Sequence, residues 1–196
     1  MKKRIYIPAV IATLLALGTI HSNAAEKNDI DKTLDMESIT FHVQASDSGS
    51  LNQLTVIPEG LEEVNRPERR EIEGSVTGIK VADLNRDGFP ELYIFVTSAG
   101  SGSYGSLVAY SVNHKKSMSD ITLPELDPKS KEARGYMGHD RFSIDGHYLV
   151  RSFPVYKKGD PNCCPTGGER RLYYKLIPGE AGWLFKLVKS ETVANH

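Results

Sequence analysis

From Ile39 to about Lys189 apolar and polar positions alternate with a period of two, and the apolar positions are rich in β-branched and aromatic residues. That alternation is the mark of strands with one face buried. It predicts strands at 39–44 (ITFHVQ), 52–58 (NQLTVIP), 71–82 (EIEGSVTGIKVA), 91–98 (ELYIFVTS), 106–112 (SLVAYSV), 140–144 (DRFSI), 147–156 (HYLVRSFPVY), 170–177 (RRLYYKLI) and 181–189 (AGWLFKLVK). Clusters of Gly, Pro, Asn and Asp separate them. About eight to nine short strands with such punctuation predict an all-β fold, a single-domain antiparallel β-sandwich spanning residues 39–190. Only 124–134 (PELDPKSKEAR) offers a helical turn or two, and its apolar face is too thin for a core helix.

The two ends of the pattern differ from its middle. Lys2, Lys3 and Arg4 precede an apolar run from about Ile5 to Ile20, and Ser22-Asn23-Ala24 follows with the small-x-Ala spacing of a signal-peptidase site. This is the architecture of a secretory signal peptide over residues 1–24, cut after Ala24, with Ala25 as the alternative. The run is short for a spanning helix, which needs roughly 20 residues, and no lipobox cysteine follows. Residues 25–38 (AEKNDIDKTLDMES) are polar and predict a flexible N-terminal arm. An exported, periplasmic protein without a membrane anchor is the expectation.

Charge narrows the field further. Loss of Lys2, Lys3 and Arg4 takes the formal net charge from −1 to −4 over the remaining 172 residues. A nucleic-acid partner calls for a concentrated basic face, and the densest cluster here, RPERRE at 66–71, alternates in sign.

Between the strands at 91–98 and 106–112 lies a loop rich in glycine and serine. Gly100, Gly102 and Gly105 spell G-x-G-x-x-G, but the dinucleotide fingerprint must open a helix, whereas SLVAYSV has strand character. The nucleophile elbow G-x-S-x-G fails as well, because neither Ser101 nor Ser103 has glycines both two positions before it and two positions after it. His114, His139 and His147 form no local triad pattern, so no catalytic residues are assigned and no enzyme is expected. The glycines allow positive φ, and Ser101, Ser103 and Tyr104 place hydroxyls and an aromatic face at the tip. Such a loop on a rigid sheet suits recognition, with an ordinary hairpin turn as the alternative.

Three other features bear on chemistry. Asp83, Asn85, Asp87, Gly88 and Glu91 in VADLNRDGFPEL place oxygen donors at alternating positions before a glycine, as in short calcium loops of extracellular β-proteins. The alternative is a turn in which Asp83 and Asn85 bond the local backbone. Cys163 and Cys164 are adjacent, which leaves open a vicinal disulfide, free thiols or a bond between chains. Tyr148, Phe153, Tyr156, Tyr173, Tyr174, Trp183 and Phe185 lie in strands, where core packing or a glycan-binding platform would both use them.

Taken in order, DLNRDGFPELYIFVTSAGSGSYGSLVAY, GYMGHDRFSI from Gly135 and RSFPVYKKGDPNCCPTGGERRLYYKL from Arg151 resemble the bacterial periplasmic inhibitors of invertebrate-type lysozyme. The S-G-x-Y element, here Ser101-Gly102-Ser103-Tyr104, matches that family's inhibitory motif. The resemblance implies a β-sandwich whose S-G-x-Y loop enters a lysozyme's active-site cleft, and it allows homodimers. Ser101 and Tyr104 would then be the functional pair, and Gly102 the residue that lets the loop take its shape. No cofactor is implied, with calcium at Asp83–Glu91 the one candidate. A calcium- or glycan-binding β module without inhibitory activity is the competing expectation.

Overall fold

The computed structural model describes residues 29–180 and 182–194. The expected signal peptide lies outside the described residues. Among them there is no helix, and twelve strands run in order: β1 (Ile30–Met36), β2 (Ile39–Ala45), β3 (Leu51–Glu59), β4 (Glu68–Glu73), β5 (Ser75–Ala82), β6 (Glu91–Thr97), β7 (Gly105–Asn113), β8 (Ser117–Thr122), β9 (Arg141–Asp145), β10 (Tyr148–Pro154), β11 (Glu169–Pro178) and β12 (Trp183–Val193). The segment 124–134 forms turns only.

The strands build a four-stranded sheet, β1-β2-β3-β4, and an eight-stranded one, β5-β6-β7-β8-β12-β11-β10-β9. Two cores result. Phe41, Val43, Leu54 and Val56 of the small sheet pack against Leu92, Ile94, Val96 and Val112 on one face of the large sheet. The large sheet curls so that Tyr93 and Phe95, on the opposite face of β6, meet Leu149, Phe153, Leu172 and Phe185 of β10–β12. Phe142 of the edge strand β9 stacks on Phe95 with ring centroids 5.8 Å apart, which brings the sheet close to a barrel. Strand β6 therefore lies between the two cores, and its residues Glu91 to Val96 are all buried. The unbroken apolar run LYIFV is what a strand covered on both faces requires.

Several sequence expectations are corrected here. Twelve strands replace eight or nine, and the small sheet is stacked on a nearly closed one. One pairing, β8 with β12, is parallel. Residues 30–36 are no loose arm: β1 pairs along its whole length with β2, across a two-residue turn in which Glu37 and Ser38 have φ of 52° and 62°. A turn with positive φ at both positions usually carries Asn-Gly, so Glu-Ser concealed it. β8 (SMSDIT) is mostly polar and equally silent.

The single strand expected at 71–82 is two strands in different sheets. The chain crosses at Gly74, with φ of 109°, where a Cβ would strike the backbone of Thr97 and Ser98. Buried Asn52 pins the crossing: its amide donates to the carbonyls of Gly49 (2.9 Å) and Gly74 (2.8 Å), and its side-chain oxygen accepts from Ser48 N–H (2.9 Å).

Candidate functional site

β6 and β7 are paired up to Thr97 and Gly105, so the loop 98–104 projects from the end of the most deeply buried strand. Its neck is closed by Ser98 N–H to Tyr104 carbonyl (2.9 Å) and Tyr104 N–H to Ser98 Oγ (2.9 Å). Its tip is a turn in which Ser103 N–H donates to Gly100 carbonyl (3.0 Å). Ser101 is exposed at that tip, and Tyr104 is 51 % exposed.

The glycines work differently from the expectation. Gly100, Gly102 and Gly105 do not take positive φ; Ser103, at 43°, is the loop residue that does. Gly102 is required for space, since a Cβ there would collide with the Tyr104 ring. Gly105 likewise admits the side chains of Asp140 and Phe142, which a Cβ would strike.

A second segment, 135–140, holds the loop from below. His139 N–H donates to Gly102 carbonyl (2.6 Å). Gly138, with φ of 88°, lies so close that a Cβ would strike the same carbonyl. Tyr136 meets Tyr104 edge-to-face, with centroids 5.8 Å apart. Under this contact sits a buried polar cluster. The Asp140 side chain is wholly buried; one carboxylate oxygen accepts from Gly105 N–H (2.9 Å) and Tyr136 O–H (2.6 Å), the other from Arg151 Nε (2.6 Å). Arg151 also donates to the Tyr136 oxygen (2.7 Å), and its guanidinium lies over the Tyr136 and Phe142 rings.

Every charged group in this cluster is met by an opposite charge or a donor, as burial demands. Burial alone would lower the Arg151 pKa, but the Asp140 hydrogen bond and charge outweigh it and hold it above the ordinary value. Burial, then the bond to Asp140, pushes the Tyr136 hydroxyl well up. Tyr136, Gly138, Asp140 and Arg151 received no role from the sequence. One signal was available: Arg151 interrupts the apolar run HYLVRSFPVY, and a charge there needs a buried partner.

The acidic loop between β5 and β6 lies at the other end of β6. Asp83, Asp87 and Glu91 bring one carboxylate oxygen each to within 4.8 Å of one another. Asp83 accepts from Arg86 N–H (2.6 Å) and Gly88 N–H (3.0 Å), while Asn85 is turned toward Asp87, accepting from its N–H and donating to its carboxylate (both 2.9 Å). Glu91 is fully buried; one oxygen accepts from Leu84 N–H (2.7 Å) and Tyr93 O–H (3.0 Å), and the other has no partner. Burial pushes the Glu91 pKa up to about 7 against those two hydrogen bonds, with Asp83 and Asp87 adding to the rise.

The comparisons with known proteins bear on the projecting loop. A family model described as periplasmic lysozyme inhibitor of I-type lysozyme matches residues 40–135, from β2 through the loop 98–104 to the start of its supporting segment. The chain belongs to that family. No curated protein and no solved structure matches.

The family match contains both Ser101–Tyr104 and Asp83–Glu91, whereas Asp140 and Arg151 lie beyond it. Beyond it too is the loop 157–168, held by Asp160, which accepts from Lys157 N–H and Thr166 N–H (both 2.8 Å), and by Tyr156 O–H to Asn162 carbonyl (2.8 Å). Cys163 and Cys164 are joined as a vicinal disulfide on this exposed loop. The loop is tied to the supporting segment 135–140 through Tyr156, whose N–H donates to Gly135 carbonyl (2.8 Å) and whose ring lies 6.4 Å from that of His139. Of the aromatics expected in strands, Phe153, Tyr174 and Phe185 are buried and Tyr148, Tyr173 and Trp183 half-buried, while Tyr156 is buried but lies past the end of β10, in the loop that follows it.

Proposed function

We propose that the protein is an exported, non-enzymatic inhibitor of invertebrate-type lysozyme that plugs the lysozyme's active-site cleft with Ser101-Gly102-Ser103-Tyr104. The observation that carries this reading is the braced, protruding loop: exposed Ser101 and Tyr104 at its surface, with the Asp140–Tyr136–Arg151 cluster beneath. A loop already held in one shape loses little conformational freedom on binding, which favours affinity.

The chemistry is complementary. A lysozyme cleft presents two carboxyl groups, one protonated and one ionised. A serine hydroxyl donates one hydrogen bond and accepts others, so Ser101 can bridge the two where a sugar oxygen would sit. Tyr104 supplies apolar area and a hydroxyl to the cleft wall. Neither offers a bond for the enzyme to cleave. The exported location, with cleavage after Ala24, is part of the same proposal, as is lysozyme as the macromolecular partner.

The test is titration of the purified protein against invertebrate-, chicken- and goose-type lysozymes on a peptidoglycan substrate. Selective loss of the invertebrate-type activity is expected. Undiminished activity of all three enzymes at a large excess of the protein would overturn the proposal.

A further inference from the structure

We propose that Asp83, Asp87 and Glu91 form a calcium site that clamps the β5–β6 hairpin, independent of the inhibitory loop. Three observations converge. The three carboxylates reach within 4.8 Å of one another, which is the spread of oxygens around one calcium ion at about 2.4 Å. Glu91 is fully buried, and one of its oxygens has no hydrogen-bond partner. Among the described residues no Lys, Arg or His forms an ion pair with any of the three.

A buried carboxylate beside two further acids is costly unless positive charge compensates it. Opposite Glu91 in the β6–β7 register stands Ser111, also fully buried, whose hydroxyl has no partner either. The hydrogen bonds that Asp83 accepts from Arg86 and Gly88 do not compete with this role. A carboxylate has two oxygens and about four acceptor sites, so it can order its own loop and hold a cation at once. Oxygen-only donors of irregular arrangement suit calcium better than magnesium, which demands near-ideal octahedral geometry. Backbone carbonyls and water would complete the usual six to eight oxygens.

The site and the inhibitory loop occupy opposite ends of β6, seven residues long and therefore about 20 Å apart. The ion would accordingly stabilise the strand that carries the loop without touching the loop. Affinity in the range of extracellular modules, roughly 0.1–1 mM, is expected.

The experiment is thermal unfolding of the purified protein in EDTA and in 10 mM calcium chloride, for the native chain and for Asp87→Asn. Asp87 is exposed, and asparagine can still accept from Phe89 N–H, so the variant keeps its fold. Calcium should raise the native Tm by about 3 to 10 °C and the variant's by less than half as much. Because Tyr93 donates to Glu91, terbium added in place of calcium should luminesce on tyrosine excitation and be displaced by calcium. Lysozyme inhibition by Asp87→Asn should match the native chain, which separates this proposal from the loop assignment. A native Tm unmoved by calcium, or an equal rise in both proteins, would overturn the site.

Discussion

The carboxylate of Asp140 accepts a hydrogen bond from the backbone N–H of Gly105, 35 residues away in sequence. Through that bond the first residue of β7, where the projecting loop rejoins the sheet, is fastened to the Tyr136–Arg151 cluster. The element proposed to inhibit is thus two segments, an exposed tip at 101–104 and a buried support at 136–151.

The tip should carry recognition without carrying stability. Ser101→Ala and Tyr104→Ala are each expected to weaken inhibition at least about tenfold, a loss of about 1.4 kcal/mol or more. Their thermal midpoints should stay close to the native value, because both side chains are exposed. Inhibition curves beside melting curves decide it, and unchanged potency in both variants would remove the loop from the interface.

The support should carry both. Arg151→Met leaves the buried Asp140 charge without its partner, for which a cost of about 3–5 kcal/mol is typical. A fall in Tm of about 6–20 °C follows for a domain of this size. Tyr136→Phe is the gentler probe: it keeps the ring against Tyr104 and removes one donor to Asp140, with an expected cost of about 1–3 kcal/mol. Inhibition by Tyr136→Phe, measured well below its Tm, should drop if the loop's shape matters, whereas native potency would show that the tip holds its conformation alone.

Gly102 and Gly138 should separate two kinds of steric demand. In Gly102→Ala the added methyl meets the Tyr104 ring, an exposed side chain able to swing away, so potency should fall with little change in Tm. In Gly138→Ala the methyl meets backbone and φ is 88°, so both should fall, with at least about 1 kcal/mol of stability lost. Equal melting temperatures for the two variants would contradict this.

Asn52 should matter for the crossing between the two sheets rather than for recognition. Asn52→Ala leaves the carbonyls of Gly49 and Gly74 and the N–H of Ser48 without their buried partner, and a loss of about 2–4 kcal/mol is expected. Denaturant unfolding measures it directly. Where the variant is folded, its inhibition should be native, since the loop at 98–104 hangs on other contacts.

The sequence by itself determined the all-β class, most strand positions and the family, because period-two alternation and turn residues are local signals and the S-G-x-Y stretch is contiguous. It also marked the acidic loop, whose donors lie within nine residues. It could not show β1 or β8, where the strands are polar and the turn residues ordinary, nor that 71–82 divides between two sheets at Gly74. Tertiary structure alone decided that β6 is buried on both faces and that the large sheet curls toward closure. It alone brought Asp140 and Arg151 beneath Gly105. Those relationships rest on burial of charge and on close approach of backbones distant in sequence. Periodicity records which face of a strand is apolar, but not which other segment will come to cover it.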